Sequence, residues 1–173
     1  MGAWLLLLLP LGFSLFGCDG ESGTLSLEQL LGPKGAFKAT VEGTLDGTFA
    51  GEAHYRTNAD GYLVGIELVH GSDATRGLSI ELEPQVLGPR TYEVIPSVLM
   101  YVDRPGASRG VVAYYEDGRR SFAAVRGSLT VEAATSSAIR GTFSLEMDSR
   151  NGPDQPAQND LTLAGSFTAT PGN

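Results

Sequence analysis

From residue 37 onward the chain alternates apolar and polar positions, and the alternation is most regular at the start. Phe37, Ala39, Val41, Gly43, Leu45, Gly47, Phe49, Gly51, Ala53 and Tyr55 share one parity. Lys38, Thr40, Glu42, Thr44, Asp46, Thr48, Glu52, His54 and Arg56 lie between them. A period of two places one set on a buried face and the other in water. Asp46-Gly47 suggests a two-residue hairpin, but that turn would put Val41 and Leu45 on the face of Thr48 and Glu52. A register error of one residue turns every side chain over. The pattern therefore predicts either one long strand bent at its glycines or a hairpin whose turn holds an odd number of residues.

Further strands follow at short intervals. Tyr62 to Val69 carries Val64, Ile66 and Leu68 on one face, and Leu78, Ile80 and Leu82 mark the next. Thr91 to Ile95 and Val98 to Val102 are separated by Pro96. Gly110 to Tyr115 and Arg119 to Glu132 read as a hairpin about Asp117-Gly118. That turn pairs Glu116 with Arg119. It puts Val112, Tyr114, Ala123, Val125, Gly127, Leu129 and Val131 on the inner row. Ile139, Gly141, Phe143, Leu145 and Met147 face inward on the next strand, and Leu161 to Ala169 forms the last. Four strands share a recipe: Val41-Glu42-Gly43, Val125-Arg126-Gly127, Ile139-Arg140-Gly141 and Leu163-Ala164-Gly165, each followed by Ser or Thr and then Leu or Phe. Inner glycines of this kind mark sharp coiling or a close neighbour. The expected fold is all-β: an antiparallel β-sandwich or flattened barrel of about eight to ten strands. One short helical turn precedes it, where Ser26 and Gln29 resemble a capping box and Gly32-Pro33 a stop.

The first residues break the alternation. Ala3 to Phe16 is almost wholly apolar, too short for a span of about 20 residues and suited to a signal-peptide core. Leu15-Phe16-Gly17-Cys18 then precedes polar Asp19-Gly20-Glu21-Ser22-Gly23. This resembles a bacterial lipoprotein signal, which implies cleavage before Cys18 and a diacylglyceryl group on its thiol. The competing reading is an ordinary secretory leader or uncleaved anchor with Cys18 incidental. Cysteine count argues against it, because Cys18 is the only cysteine and has no internal disulfide partner. The expected organisation is a signal peptide at 1–17, a lipidated cysteine with spacer and short helix at 18–34, and one β domain at 35–173. The sequence is similar to small all-β bacterial lipoproteins of unknown function, in which glycine-rich strands follow a lipidated cysteine; that group implies no catalytic residues.

Composition narrows the function classes. The net charge of −8 falls wholly beyond residue 18. It argues against nucleic acid and against unaided binding to anionic lipid. No Walker loop, dinucleotide fingerprint, paired-histidine motif, EF-hand loop or Gly-x-Ser-x-Gly elbow is present. Only His54 and His70 are available for metals. His54 reads as solvated. His70, Ser72 and Asp73 have triad residue types, but adjacency in one loop is poor evidence for a triad. Asp148, Asp154 and Asp160 fit no known Ca²⁺ loop and read better as a solvated linker. Glu67, Glu81, Glu83 and Glu93 lie on strands, and sequence leaves open whether any pair meets.

Tyr101, Tyr115 and Phe122 form the candidate partner patch, with Tyr115 and Phe122 opposite the inner row of their hairpin. The favoured alternative is that this hairpin is central and covered. The chain is expected to be an envelope-anchored, non-enzymatic binding or structural module with no cofactor. Its expected partners are a membrane, reached through the lipid, and an envelope protein, glycan or lipid. The expected location is the bacterial cell envelope, with inner or outer membrane and periplasmic or surface side left open. One alternative is a carrier of a small apolar ligand in a barrel, like a lipocalin in broad architecture only, since Gly-x-Trp is absent. A second is a hydrolase of envelope polymers.

Overall fold

The computed structural model describes residues 35–71, 75–97, 110–118, 120–149 and 159–172. Nine strands account for most of them: β1 Ala36–Gly43, β2 Gly47–Thr57, β3 Leu63–His70, β4 Arg76–Gln85, β5 Arg90–Val94, β6 Gly110–Asp117, β7 Arg120–Ala134, β8 Ile139–Ser149 and β9 Asn159–Pro171. They close into a barrel in the order β1-β2-β3-β4-β6-β5-β7-β8-β9. The short helix expected near Ser26 and the strand expected at Val98 to Val102 lie outside the described residues.

Odd-turn parity holds at the first hairpin. Val41 pairs with Gly47 and Ala39 with Phe49, with an odd number of residues, five, between the last pair, so the odd-numbered apolar residues of both strands point inward. Asp46 Oδ1 accepts the Gly43 N–H at 2.9 Å and closes the turn. The one-long-strand alternative is not what forms. The ring shuts where β1 pairs antiparallel with β9, from Ala36↔Thr168 to Gly43↔Leu161. β6 and β7 pair only from Tyr114↔Ala123 to Asp117↔Arg120 and then diverge. β5 fills the gap, antiparallel to β7 and parallel to β6 over two pairs.

Four expectations are corrected by register. Asp117 pairs with Arg120, so the β6 side of the ladder runs one place further toward the turn than predicted. Asp117 stays in the ladder because Arg76 Nε, at 2.8 Å, and Arg120 Nη2, at 3.5 Å, hold its carboxylate. The inner row of β6 is Val111, Ala113 and Tyr115, continuing into Phe122; Tyr114 stands on the outer wall. A bulge between Ala124 and Arg126 makes Val125 an extra, exposed residue and returns Gly127, Leu129 and Val131 to the inside. On β3 another irregularity puts Leu63 rather than Val64 in the core with Ile66 and Leu68.

The shared glycine recipe has a common cause. A Cβ at Gly43, Gly127, Gly141 or Gly165 would lie within 2.1 to 2.5 Å of a carbonyl oxygen on the adjacent strand. The strong coiling of a narrow barrel brings neighbouring backbone that close. Leu, Ile, Val, Phe, Tyr, Met and Ala from all nine strands fill the interior as one cluster. Outward residues such as Thr40, Glu52, Thr142, Ser144, Thr162 and Ser166 are polar and exposed. Lipid imposes the inverse arrangement on a membrane-spanning barrel, apolar outside and polar within. No helix among the described residues is long and apolar enough to cross a membrane.

Candidate functional site

The two ends of the barrel differ. At the proximal end the chain enters at Gly35, whose carbonyl accepts the Ala53 N–H at 2.7 Å. The chain leaves near the same end, where Gly172 N–H donates to Tyr55 O at 2.8 Å. The opposite, distal end carries the β1–β2, β3–β4, β6–β7 and β8–β9 connections. A pocket of about 180 Å³ opens there, bounded by Val41, Leu45, Asp46, Gly47, Thr48, Phe49, His70, Arg76, Tyr115 and Asp117.

Its floor is aromatic. Phe49 meets Phe37 edge-on at 5.1 Å between centroids, His70 at 5.9 Å and Tyr115 at 5.5 Å. Tyr115 continues to Phe122 at 6.0 Å. Contacts at these separations favour edge-to-face and offset packing of the ring quadrupoles. Strand parity creates the row: Phe49 and Tyr115 occupy inward positions at the distal ends of β2 and β6. Burial holds the Tyr115 hydroxyl above its ordinary titration range. Asp117 adds to the effect, and Arg76 and Arg120 oppose it. The phenol therefore stays protonated in neutral solution.

One wall is ionic. The Asp117 side chain is only 13% exposed and is shared between the Arg76 and Arg120 guanidinium groups. Partial burial makes such a pair more than a surface ornament, because water screens it less. His70 Nδ1 lies 3.1 Å from Ala50 O. A carbonyl only accepts, so a hydrogen sits on Nδ1, and in that tautomer Nε2 is the acceptor. Thr48 adds a hydroxyl to the rim. The site thus offers a small guest aromatic edges, a hydroxyl, an imidazole and a fixed ion pair.

Sequence-predicted site residues divide sharply. Tyr115 and Phe122 lie inside the barrel, 5% and 1% exposed, so they form core and pocket floor and not an exposed patch. Tyr101, Leu15, Phe16, Gly17 and Cys18 lie outside the described residues, as do Ser72, Asp73 and Asp154. His54 points outward with Nε2 3.4 Å from Glu52 Oε2. Glu67 is paired with Arg56 Nε at 2.9 Å, and Glu83 Oε2 accepts the Gly110 N–H at 3.0 Å. Both carboxylates serve the wall. Among the described residues no group of three His, Cys, Asp or Glu side chains converges to hold a metal. Sequence reasoning missed Phe49, Arg76 and Asp117 as a site. Phe49 and Asp117 were visible as an inward aromatic and a turn residue, but Arg76 has no local signal. No family model, no curated protein and no solved structure matches this chain.

Proposed function

We propose that this protein is a lipid-anchored, non-enzymatic binding module of a bacterial cell envelope, held through Cys18 and presenting its distal mouth to a partner. One arrangement carries the reading: the chain enters a polar-walled barrel at the end opposite the pocket. A tether through residues 19–34 reaches at most roughly 55 Å when extended. An anchor at that end leaves the mouth free to face away from the membrane. The filled interior favours binding at the mouth over carriage of a ligand within the barrel. Carrier and drug-sized sites enclose roughly 300 to 1,000 Å³, and the mouth holds about 180 Å³. A protruding side chain or a small polar-aromatic group of an envelope protein or glycan fits that volume.

Two measurements test the two halves. A fatty-acid analogue fed to expressing cells should label the wild type and leave Cys18→Ser unlabelled and released from membranes. Equal labelling of both would reject the anchor. A photo-crosslinking residue at Thr48, on the exposed rim, should capture an envelope component, whereas one at Ser166 on the outer wall should not. Equal capture at both positions, or none at Thr48, would reject the mouth as the binding surface.

A further inference from the structure

We propose that Asp148 and Asp160 form a divalent-cation site, suited to Ca²⁺, at the distal end of the β8–β9 hairpin. In the sequence these acids are too far apart for a known calcium loop. Antiparallel pairing cancels that distance. Met147 pairs with Leu161 and Asp148 with Asn159, which leaves Asp160 as the extra residue of a bulge beside Asp148.

Asp160 is fixed from two directions. Its Oδ2 accepts the Ser149 N–H at 2.6 Å. Its carbonyl accepts both the Thr44 N–H, at 2.8 Å, and the Thr44 hydroxyl, at 2.5 Å. The carboxylate is therefore placed by the β8 backbone and by the β1–β2 turn together. Asp148 is the opposite case. It is only 8% exposed, and its Oδ1 is buried with no hydrogen-bond partner. A buried carboxylate oxygen is costly unless a donor or a cation compensates it.

The cations nearby do not supply that compensation by contact. Arg126 is 72% exposed and turns its Nε to Glu146 Oε2 at 3.6 Å. An unsatisfied oxygen beside a second, pinned carboxylate concentrates negative potential that a bound cation relieves. Ca²⁺ takes six to eight oxygens in loose geometry, whereas Mg²⁺ demands a near-ideal octahedron. A bulged strand end suits the first better. Two carboxylates completed by water predict affinity at the weak end of calcium modules, about 10⁻⁴ to 10⁻³ M.

The site is independent of the lipid anchor and of the mouth pocket, so its failure leaves both readings standing. The full chain, stripped with chelator, is titrated with CaCl₂ and separately with MgCl₂, following heat and thermal unfolding. CaCl₂ should raise Tm and bind with millimolar or tighter affinity, and MgCl₂ should do so less. Asp148→Asn and Asp160→Asn should each weaken CaCl₂ binding by about tenfold or more, and Glu42→Gln should leave it unchanged. No heat and no Tm change up to ~10 mM CaCl₂, or a response undiminished in both variants, overturns the proposal. If Asp148→Asn does not fold, Asp160→Asn alone decides.

Discussion

Gly127 shows how much one residue can determine. Its φ is +121°, and a Cβ there would lie 2.1 Å from Ser144 O across the β7–β8 ladder. Gly127→Ala meets both a disfavoured backbone and a backbone atom that cannot step aside. The expected loss is about 2 kcal/mol or more, read from urea unfolding. Gly61 has φ +80° but open space around it, so Gly61→Ala should cost only about 1 kcal/mol. Asp148 gives a second residue-scale prediction. Burial raises its pKa, the Asp160 and Glu146 charges add to this, and Arg126 opposes it. The native state then holds a proton that the unfolded chain has released, so stability falls as pH rises through the window above the ordinary carboxylate range. In chelator, Asp148→Asn should gain about 1 kcal/mol at pH 8 and less at pH 4. An equal change at both pH values would show that the carboxylate is not strained by its surroundings. The glycine recipe was readable from sequence as a sign of close approach; the identity of the approaching carbonyl was not, because it belongs to another strand.

Register decides matters at the scale of elements. β7 changes inward parity at Val125, with Phe122 and Ala124 before the bulge and Gly127, Leu129 and Val131 after it. Deleting Val125 should heal the bulge and leave both halves facing inward, because Ala124 and Arg126 already pair with the consecutive residues Met147 and Glu146. The near-ultraviolet circular dichroism and a sharp thermal transition should therefore survive the deletion. Their loss would show that one half of the strand had turned its row outward. β5 is only five residues long, yet it fills the gap where β6 and β7 part, with Tyr92 1% exposed at its centre. Tyr92→Ala should cost about 3 to 5 kcal/mol. A loss below about 1 kcal/mol, the scale of a surface change, would mean that β5 is not needed to seal the barrel. Strands β1, β2, β8 and β9 were legible because their alternation is unbroken. The face of β6 was misread because both of its faces are apolar: Val111, Val112 and Ala113 are all buried. Periodicity carries no information where both sets are hydrophobic.

Closure is the property of the whole molecule. Residues 36–43 pair with residues 161–168, so the first and last strands of the domain complete one ladder. Removing residues 159–173 should leave an open edge and abolish cooperative folding. Removing residues 1–34 should leave the barrel with an unchanged urea midpoint, since the strands begin at Ala36. Loss of folding in that second deletion would place essential packing in the amino-terminal segment. A closed ring also removes the exposed edges that invite aggregation. Both chain ends of the domain fall at the proximal side, and that placement gives the distal mouth its orientation relative to any tether.

Alternation, glycine content and turn residues already committed this chain to β structure, to either one long bent strand or an odd first turn, and to the inward rows of β1, β2, β8 and β9. Those features are local: a two-residue period and a turn length are properties of neighbours in the chain. The chain's apolar first residues and single cysteine likewise raised the expectation of an anchor without any folded context. What the tertiary structure alone decided is which distant residues meet. Arg76 reaches Asp117 across β4 and β6, Phe49 reaches Tyr115 through the core, and Asp148 comes beside Asp160 across β8 and β9. Each meeting depends on bulges and strand order, which are settled by packing the interior and closing the ring and leave no local trace in the sequence.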